Sequence, residues 1–260
     1  MPTSTFTHPL FGSVTFKTKS STWVRGDSIT FLSGFDEDDV TKVTIPQLKD
    51  IPGTHGGVMK FHKRGHAQLL SAFADIERFG ALKHIKTCAG TFNKRLKKPI
   101  SGNLSREPSN HSFGIAIDLN EDDGSNGGTV APVAPFFQAV GFHWGISFND
   151  PMHFEVKTFV DHPETIAQPV QVLRNGVALD LAGVNLDGHP VVDAKRCEQV
   201  FGFTRISGSA TAVRFQSGGA QRTFKVRRLG DFDFVLLTEA SGLAGLTLAW
   251  DNATKTAVLA

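Results

Sequence analysis

The spacing of apolar residues changes several times between a helical and a strand-like period within the first 160 residues. In residues 60–80 apolar side chains recur every three or four positions, which predicts an amphipathic helix that ends at Gly80. The positions that define this helical face are Leu69, Leu70, Phe73 and Ile76. Before this segment, FGSVTFKTK and SITFLSGF carry apolar and β-branched residues and are bounded by Gly, Asp and Ser residues. This pattern predicts short strands.

Two later segments have the two-residue period of half-buried strands. In GIAIDLN, residues 114–120, the alternation places Ala116 and Asp118 on one face of the strand. In MHFEVKTF, residues 152–159, it places His153 and Glu155 on one face. Both predicted strands therefore carry side chains that can bind a metal ion or hold a proton.

Segments without periodicity connect these elements. ALKHIKTCAG, residues 81–90, predicts a further strand, and a polar, basic loop follows from 91 to 110. Loops of that length are uncommon inside a compact domain unless they carry function. EDDGSNGGTVAP is a glycine-rich loop, and APFFQAVGF predicts a short helix that ends near Gly141.

The pattern divides the chain into three parts and predicts an α+β fold. Residues 1–50 form a β-rich extension, and residues 51–165 form a small antiparallel sheet with flanking helices. Pro163 and Pro169 interrupt any regular element near DHPETIAQP and mark a boundary. Residues 170–260 contain a helix-like run, a glycine and a hairpin pattern twice, which predicts an α+β domain of two helix-hairpin units.

The composition excludes several classes of protein. The chain has 260 residues, 40% of them hydrophobic and 20% charged, with a net charge of +2, so electrostatics favours neither nucleic acid nor a membrane surface as a partner. No run is long and apolar enough to span a membrane, and the first residues lack the pattern of a secretory signal. Cys88 and Cys197 form no metal-binding spacing, so a zinc site must use histidine and carboxylate ligands.

The fragment SNHSFGIAIDLN at 109–120 and the fragment DPMHFE at 150–155 provide such ligands. His111, Asp118 and His153 can bind one zinc ion, and catalytic zinc sites leave the fourth position to water. Asp150 precedes the last ligand by three residues, and a carboxylate placed there can take a proton from that water. The spacing alone leaves open whether these residues form a metal site or are ordinary packed and surface residues.

The motifs resemble those of a family of zinc peptidases that includes D-alanyl-D-alanine carboxypeptidases and L-alanyl-D-glutamate endolysins. The resemblance covers residues 50–160 and rests on TCAGTFNKR, SNHSFGIAIDLN, HWG at 143–145 and DPMHFE. It implies that His111, Asp118 and His153 bind Zn²⁺, that Asp150 is the catalytic base, and that peptidoglycan is the substrate. It also implies that Arg95 binds substrate and stabilises the oxyanion; a solvated loop arginine is the alternative interpretation.

Three further residues near these motifs have two interpretations each. Ser109 either binds substrate or caps the turn before His111, and Trp144 either lines the substrate cleft or is a packed aromatic residue. Glu155 either orients a zinc ligand from outside the coordination sphere or is a surface charge. His62 and His66 lie four residues apart in the predicted helix, and without a third ligand we interpret them as residues of the helix surface.

Residues from about 170 onward resemble, through VLRNGVALD and AWDNATKTAVLA, the stalk-type domain found at the N-terminus of copper amine oxidases. This resemblance implies attachment to the cell wall and no copper chemistry, and a domain that only stabilises the peptidase is the alternative. The lack of a signal peptide suits a phage or prophage endolysin that reaches the wall after release from the cytoplasm. Aspartate in the x-x-His motif that ends at His153 looks more like the endopeptidase branch of the peptidase family, so the resemblance implies an L-alanyl-D-glutamate endopeptidase. A D-alanyl-D-alanine carboxypeptidase and a non-catalytic wall-binding or phage structural component are the alternatives.

Overall fold

The protein folds as two compact units, Met1–Pro163 and Glu164–Ala260. The computed structural model describes residues 1–99, 101–161, 168–186, 188–230 and 232–260. Within these ranges it contains small, mostly antiparallel sheets and four α-helices, so the predicted α+β class is confirmed. None of these helices has the length and apolar character needed to cross a membrane.

The first unit contains three small sheets, whose strand orders are β1-β2-β3, β4-β5 and β6-β7-β9-β8. Two helices, α1 and α2, accompany them. The strands are β1 Thr3–His8, β2 Gly12–Thr18, β3 Ile29–Ser33, β4 Val40–Thr44, β5 Val58–His62, β6 Cys88–Gly90, β7 Ala116–Leu119, β8 Phe142–Trp144 and β9 His153–Val156; the helices are α1 His66–Arg78 and α2 Ala134–Ala139.

Helix α1 is shorter at its start than the apolar spacing predicts. Three of the four predicted face residues, Leu69, Phe73 and Ile76, are fully excluded from solvent, whereas Leu70 is 37% exposed. Gly80 follows the end of the helix at φ +67°. Residues 58–62 instead form β5, because this segment pairs with β4 along its whole length. The interpretation of His62 as a helix-surface residue is therefore wrong, since it lies in a strand and is 2% exposed.

The predicted strand at 81–90 is also mostly wrong. Ala81–His84 form a 3-10 turn, and only Cys88–Gly90 pair with β7, as strand β6. The following loop to residue 110 forms single bridges from Arg95 to Ser28 and from Leu96 to Pro108, so it remains irregular as predicted.

A cluster of aromatic rings joins the N-terminal sheet to the loop that precedes β7. Phe113 is fully buried, and its ring centroid lies 4.4 Å from that of His8 and 5.3 Å from that of Phe11. The ring centroids of Phe31 and Phe35 each lie 5.0 Å from that of Phe113. Buried aromatic rings contribute large apolar areas, so residues 1–50 help to fix this loop in place. That residues 1–50 are an extension distinct from a peptidase domain at 51–165 stays a prediction.

The second unit has its own buried core and contains the two predicted helix-hairpin units. Helix α3 is followed by Gly202 and the hairpin β15-β16, and helix α4 is followed by Gly245 and the hairpin β20-β21. Its elements are β10 Gln168–Pro169, β11 Gln171–Arg174, β12 Val177–Ala178, β13 Val184–Leu186, β14 His189–Asp193, α3 Ala194–Phe201, β15 Thr204–Gly208, β16 Ala212–Ser217, β17 Ala220–Lys225, β18 Arg227–Leu229, β19 Phe232–Leu236, α4 Leu237–Leu243, β20 Leu248–Asp251 and β21 Thr256–Leu259. The resemblance of this unit to a stalk-type domain stays a prediction.

Candidate metal centre

Two strands and one turn bring the three predicted ligands together. Strands β7 and β9 pair antiparallel, and Asp118 and His153 are directly opposite each other in the register. His111 lies in a 3-10 turn, Asn110–Phe113, which ends at Gly114 with φ +63° immediately before β7. Glycine adopts this left-handed conformation readily, and the turn leaves the His111 side chain beside Asp118.

The three side chains form a tight, buried cluster. His111 Nε2 lies 3.0 Å from Asp118 Oδ2, and His153 Nδ1 lies 2.7 Å from Asp118 Oδ1. The three residues are 4%, 7% and 7% exposed, in the order His111, Asp118 and His153. One candidate ligand atom from each lies within 4.8 Å of the other two, so a single metal ion can contact all three.

The remaining ring nitrogens are held in place by hydrogen bonds, which leaves one nitrogen of each histidine for a metal. His111 Nδ1 is 3.2 Å from the carbonyl oxygen of Thr91, so Nδ1 carries the proton and donates it. Its Nε2 is buried and, among the residues that the structure describes, makes no hydrogen bond of good geometry, although it lies 3.0 Å from Asp118 Oδ2. His153 Nε2 is 2.9 Å from Glu155 Oε2, which leaves His153 Nδ1 directed at Asp118. An orphaned buried nitrogen beside a buried carboxylate fits a zinc ion well.

The charges of the cluster depend strongly on one another. Burial raises the pKa of Asp118, but His111 and His153 outweigh burial and hold that pKa well below its usual range. Burial lowers the pKa of His153, but its hydrogen bonds to Asp118 and Glu155 prevail and raise the pKa to about 10. At neutral pH His153 is therefore protonated in the absence of metal, and a metal ion must displace this proton to bind.

We expect zinc binding to release about one proton near pH 7, because His153 must lose its proton before it can bind the metal. With the pKa of His153 at about 10, zinc affinity should rise about tenfold per pH unit between about pH 6 and about pH 8. Titration calorimetry in buffers with different ionisation enthalpies measures both quantities. A zinc affinity that is independent of pH over this range would contradict the predicted role of His153.

Asp150 lies on the short connection between β8 and β9. Its backbone N–H donates to the carbonyl of Gly145 at 2.9 Å, and its own carbonyl accepts from the N–H of His153 at 3.1 Å. Burial raises the pKa of the Asp150 carboxyl; the charge of His153 opposes this shift, and the charge of Asp118 adds to it. A partly buried carboxylate that interacts with the ligand cluster and has a raised pKa suits a general base.

Arg95 lies close enough for its charge to interact with the same two aspartates. Burial lowers the pKa of its guanidinium, and the charges of Asp118 and Asp150 oppose that shift. Its backbone is fixed, since its N–H donates to Ser112 Oγ at 2.9 Å and its carbonyl accepts from the N–H of Ser109, also at 2.9 Å. The loop that bears Arg95 is therefore tied to the turn that bears His111.

The other three predicted site residues have structural contacts. Ser109 is the N-cap of the 3-10 turn, and its Oγ accepts from the N–H of His111 at 3.4 Å. The indole N–H of Trp144 donates to the carbonyl of Pro151 at 2.6 Å, which ties the Asp150 connection to β8. Glu155 accepts from His153, as a residue that orients a ligand would do. Substrate binding by Ser109 and Trp144 stays a prediction.

Several residues near the centre have no recognisable pattern in the sequence. Asn126 lies in the glycine-rich loop, and its Nδ2 is 3.4 Å from Asp150 Oδ1. Phe148 is 48% exposed, and its ring centroid lies 5.9 Å from that of His153. Asn110 forms hydrogen bonds to both Glu155 and His8. Asn126, Asn110 and His8 each form a hydrogen bond to a residue that is 24 to 102 positions away in the sequence. Local spacing therefore carries no information about these contacts.

The glycine-rich loop depends on Gly127, whose α-carbon faces Met152. A Cβ at Gly127 would lie 2.3 Å from the Cα of Met152, whereas a Cβ at Gly124 would meet nothing within 4 Å; both glycines have positive φ, +84° and +76°. We expect Gly124→Ala to cost about 1 kcal/mol of unfolding free energy from backbone strain alone. Gly127→Ala should cost roughly 1–3 kcal/mol more, from overpacking against Met152. Urea unfolding measures both, and equal losses would show that the contact with Met152 is unimportant.

A buried His-Asp-His cluster, with a second carboxylate and a guanidinium close enough to interact with it, is an arrangement that metal-dependent hydrolases use. The family model of D-alanyl-D-alanine carboxypeptidases matches residues 103–156, a segment that contains all three ligands and Asp150. The match supports a zinc peptidase that acts on peptidoglycan. Arg95 precedes the matched segment. Among curated proteins and solved structures, no match to this chain was found.

Proposed function

We propose that this chain is a zinc-dependent endopeptidase that cleaves the L-alanyl-D-glutamate bond of peptidoglycan stem peptides. The observation that carries the proposal is the convergence of His111, Asp118 and His153, with the orphaned Nε2 of His111 aimed into the cluster. The matched family supports the substrate class. A phage or prophage endolysin, made in the cytoplasm and acting on the wall after release, is the biological setting we propose.

The residues of the site have separate tasks in the proposed reaction. His111, Asp118 and His153 would hold zinc, which acts as a Lewis acid and lowers the pKa of water when bound. Asp150 takes a proton from the attacking water and later returns it to the leaving amine. Arg95 donates hydrogen bonds to the carbonyl oxygen of the scissile bond as negative charge develops there. Glu155 keeps the His153 ring in the orientation that the cluster requires.

A D-alanyl-D-alanine carboxypeptidase is the second candidate. The description of the matched family favours it, and so does Arg95, because a planar guanidinium suits the terminal carboxylate of such a substrate. The identity of the proposed base favours the endopeptidase. The motif x-x-x-His that ends at His153 begins with Asp150, and aspartate at this position resembles the endolysin branch of the family. Both activities would use the same zinc ligands.

Digestion of purified peptidoglycan by the zinc-loaded protein separates these candidates. Mass spectrometry of the released muropeptides should show new D-glutamate N-termini if the L-alanyl-D-glutamate bond is cleaved. Loss of one D-alanine from intact pentapeptides would instead establish the carboxypeptidase. The absence of any cleavage by zinc-loaded protein would favour a non-catalytic wall-binding or phage structural component. In all three cases wall attachment through residues 170–260 remains a separate proposal.

A further inference from the structure

We propose that His8, on the first strand, is a positioning residue for the metal centre and acts on the ligand His153 through Asn110 and Glu155. His8 Nε2 is 3.0 Å from Asn110 Oδ1, and Asn110 Nδ2 donates to Glu155 Oε2 at 2.5 Å. The same Glu155 oxygen accepts from His153 Nε2 at 2.9 Å. A continuous series of hydrogen bonds thus joins the N-terminal sheet to a zinc ligand. The inference rests on the metal site of the proposed function.

The direction of each hydrogen bond in this series is fixed by the one before it. The backbone N–H of Leu10 donates to His8 Nδ1 at 3.0 Å, so Nδ1 is an acceptor and the ring proton lies on Nε2. Nε2–H then donates to Asn110 Oδ1, which turns the amide so that its Nδ2 faces Glu155. Glu155, an acceptor only, draws the proton of His153 to Nε2 and leaves Nδ1 for the metal.

The surroundings of His8 keep it in this state. Its ring is 4% exposed and contacts Phe113, Phe11 and Phe6, with centroids 4.4, 4.9 and 6.0 Å away. Burial lowers the pKa of His8, and its hydrogen bond to Asn110 opposes this only in part, so the ring is neutral at neutral pH. A buried, neutral histidine with both nitrogens bonded is a rigid support for the amide of Asn110.

Supporting residues of this kind contribute to metal affinity because a freely turning ligand ring must be ordered when the metal binds. Their loss commonly weakens metal binding by about 10- to 100-fold. His8 is separated from the ligand His153 by two more hydrogen bonds than Glu155 is. We therefore expect the loss of His8 to weaken zinc binding by about tenfold, at the low end of that range. The effect should be on zinc affinity.

The test compares His8→Phe with His8→Gln by zinc competition against a chromogenic chelator. Phenylalanine keeps the ring contacts but removes both hydrogen bonds, and zinc affinity should fall about tenfold. Glutamine has its Nε2 the same number of bonds from the backbone as histidine Nε2, so it can still donate to Asn110 and should restore most of the affinity. Phe31→Leu disturbs the same aromatic cluster through its contact with Phe113 but leaves the ring neighbours of His8 in place, and its zinc affinity should equal that of the wild type.

Two results would overturn the inference. The first is a His8→Phe protein that binds zinc as tightly as the wild type, or a His8→Gln protein that is as weak as His8→Phe. The second needs no variant: ring-nitrogen NMR of the wild type should find the His8 proton on Nε2, and a proton on Nδ1 would contradict the series. Because neither readout uses peptide cleavage, failure here is distinguishable from failure of the proposed function, which would appear as a wild type that binds no zinc or as a zinc-loaded wild type that cleaves no stem peptide.

Discussion

Asp150→Asn is expected to lower the rate of stem-peptide cleavage by about 10²- to 10⁴-fold, the usual contribution of a general base. Asparagine has almost the same shape and preserves the backbone hydrogen bonds of residue 150 to Gly145 and His153. It cannot accept a proton from water at neutral pH. Because Asp150 is not one of the three ligands, the bound zinc should remain at one ion per chain.

The measurement is the release of soluble muropeptides from purified sacculi, with zinc content determined on the same samples. Asp50→Asn is the matched control, because it makes the same chemical change at an exposed carboxylate outside the cluster and should leave the rate unchanged. An Asp150→Asn protein that digests sacculi at the wild-type rate would rule out Asp150 as the base. Loss of zinc together with activity would instead assign Asp150 a role in metal binding.

Asp118→Asn should have the largest effect on zinc itself. Asp118 lies between the two histidines, at 3.0 Å from His111 and 2.7 Å from His153, and it supplies the negative charge of the ligand set. We expect zinc affinity to fall by more than the roughly 100-fold that loss of a supporting residue causes, and cleavage to be lost with it. Inductively coupled plasma spectrometry after dialysis at defined free zinc measures the affinity.

The same substitution changes the protonation of the cluster in a predictable direction. Asp118 contributes to the raised pKa of His153, so its removal should lower that pKa from about 10 toward the usual value. Histidine NMR in the metal-free variant detects this shift and shows at the same time that the variant is folded. A folded Asp118→Asn protein that retains stoichiometric zinc would refute the ligand assignment, whereas Asp50→Asn should bind zinc normally.

The sequence indicated two of the three candidate ligands, Asp118 and His153, through strands with a clear two-residue period. Once Ala116 and Asp118 share a face, and His153 and Glu155 share a face, antiparallel pairing of the two strands can place Asp118 and His153 together. The resemblance to a peptidase family selected the same residues. The start of α1 was less predictable, since residues 60–62 were included in the helical pattern of 60–80 but pair with β4.

What the sequence by itself determined is the α+β class and the two helix-hairpin units, because these depend on short-range spacing. The three candidate metal ligands were selected by the resemblance to a peptidase family. Only the tertiary structure decided how those residues are supported. His8 and Asn110 are 102 positions apart, and Asn110 and Glu155 are 45 apart. Contacts at such distances follow from the packing of the N-terminal sheet around Phe113, and no local period encodes that packing.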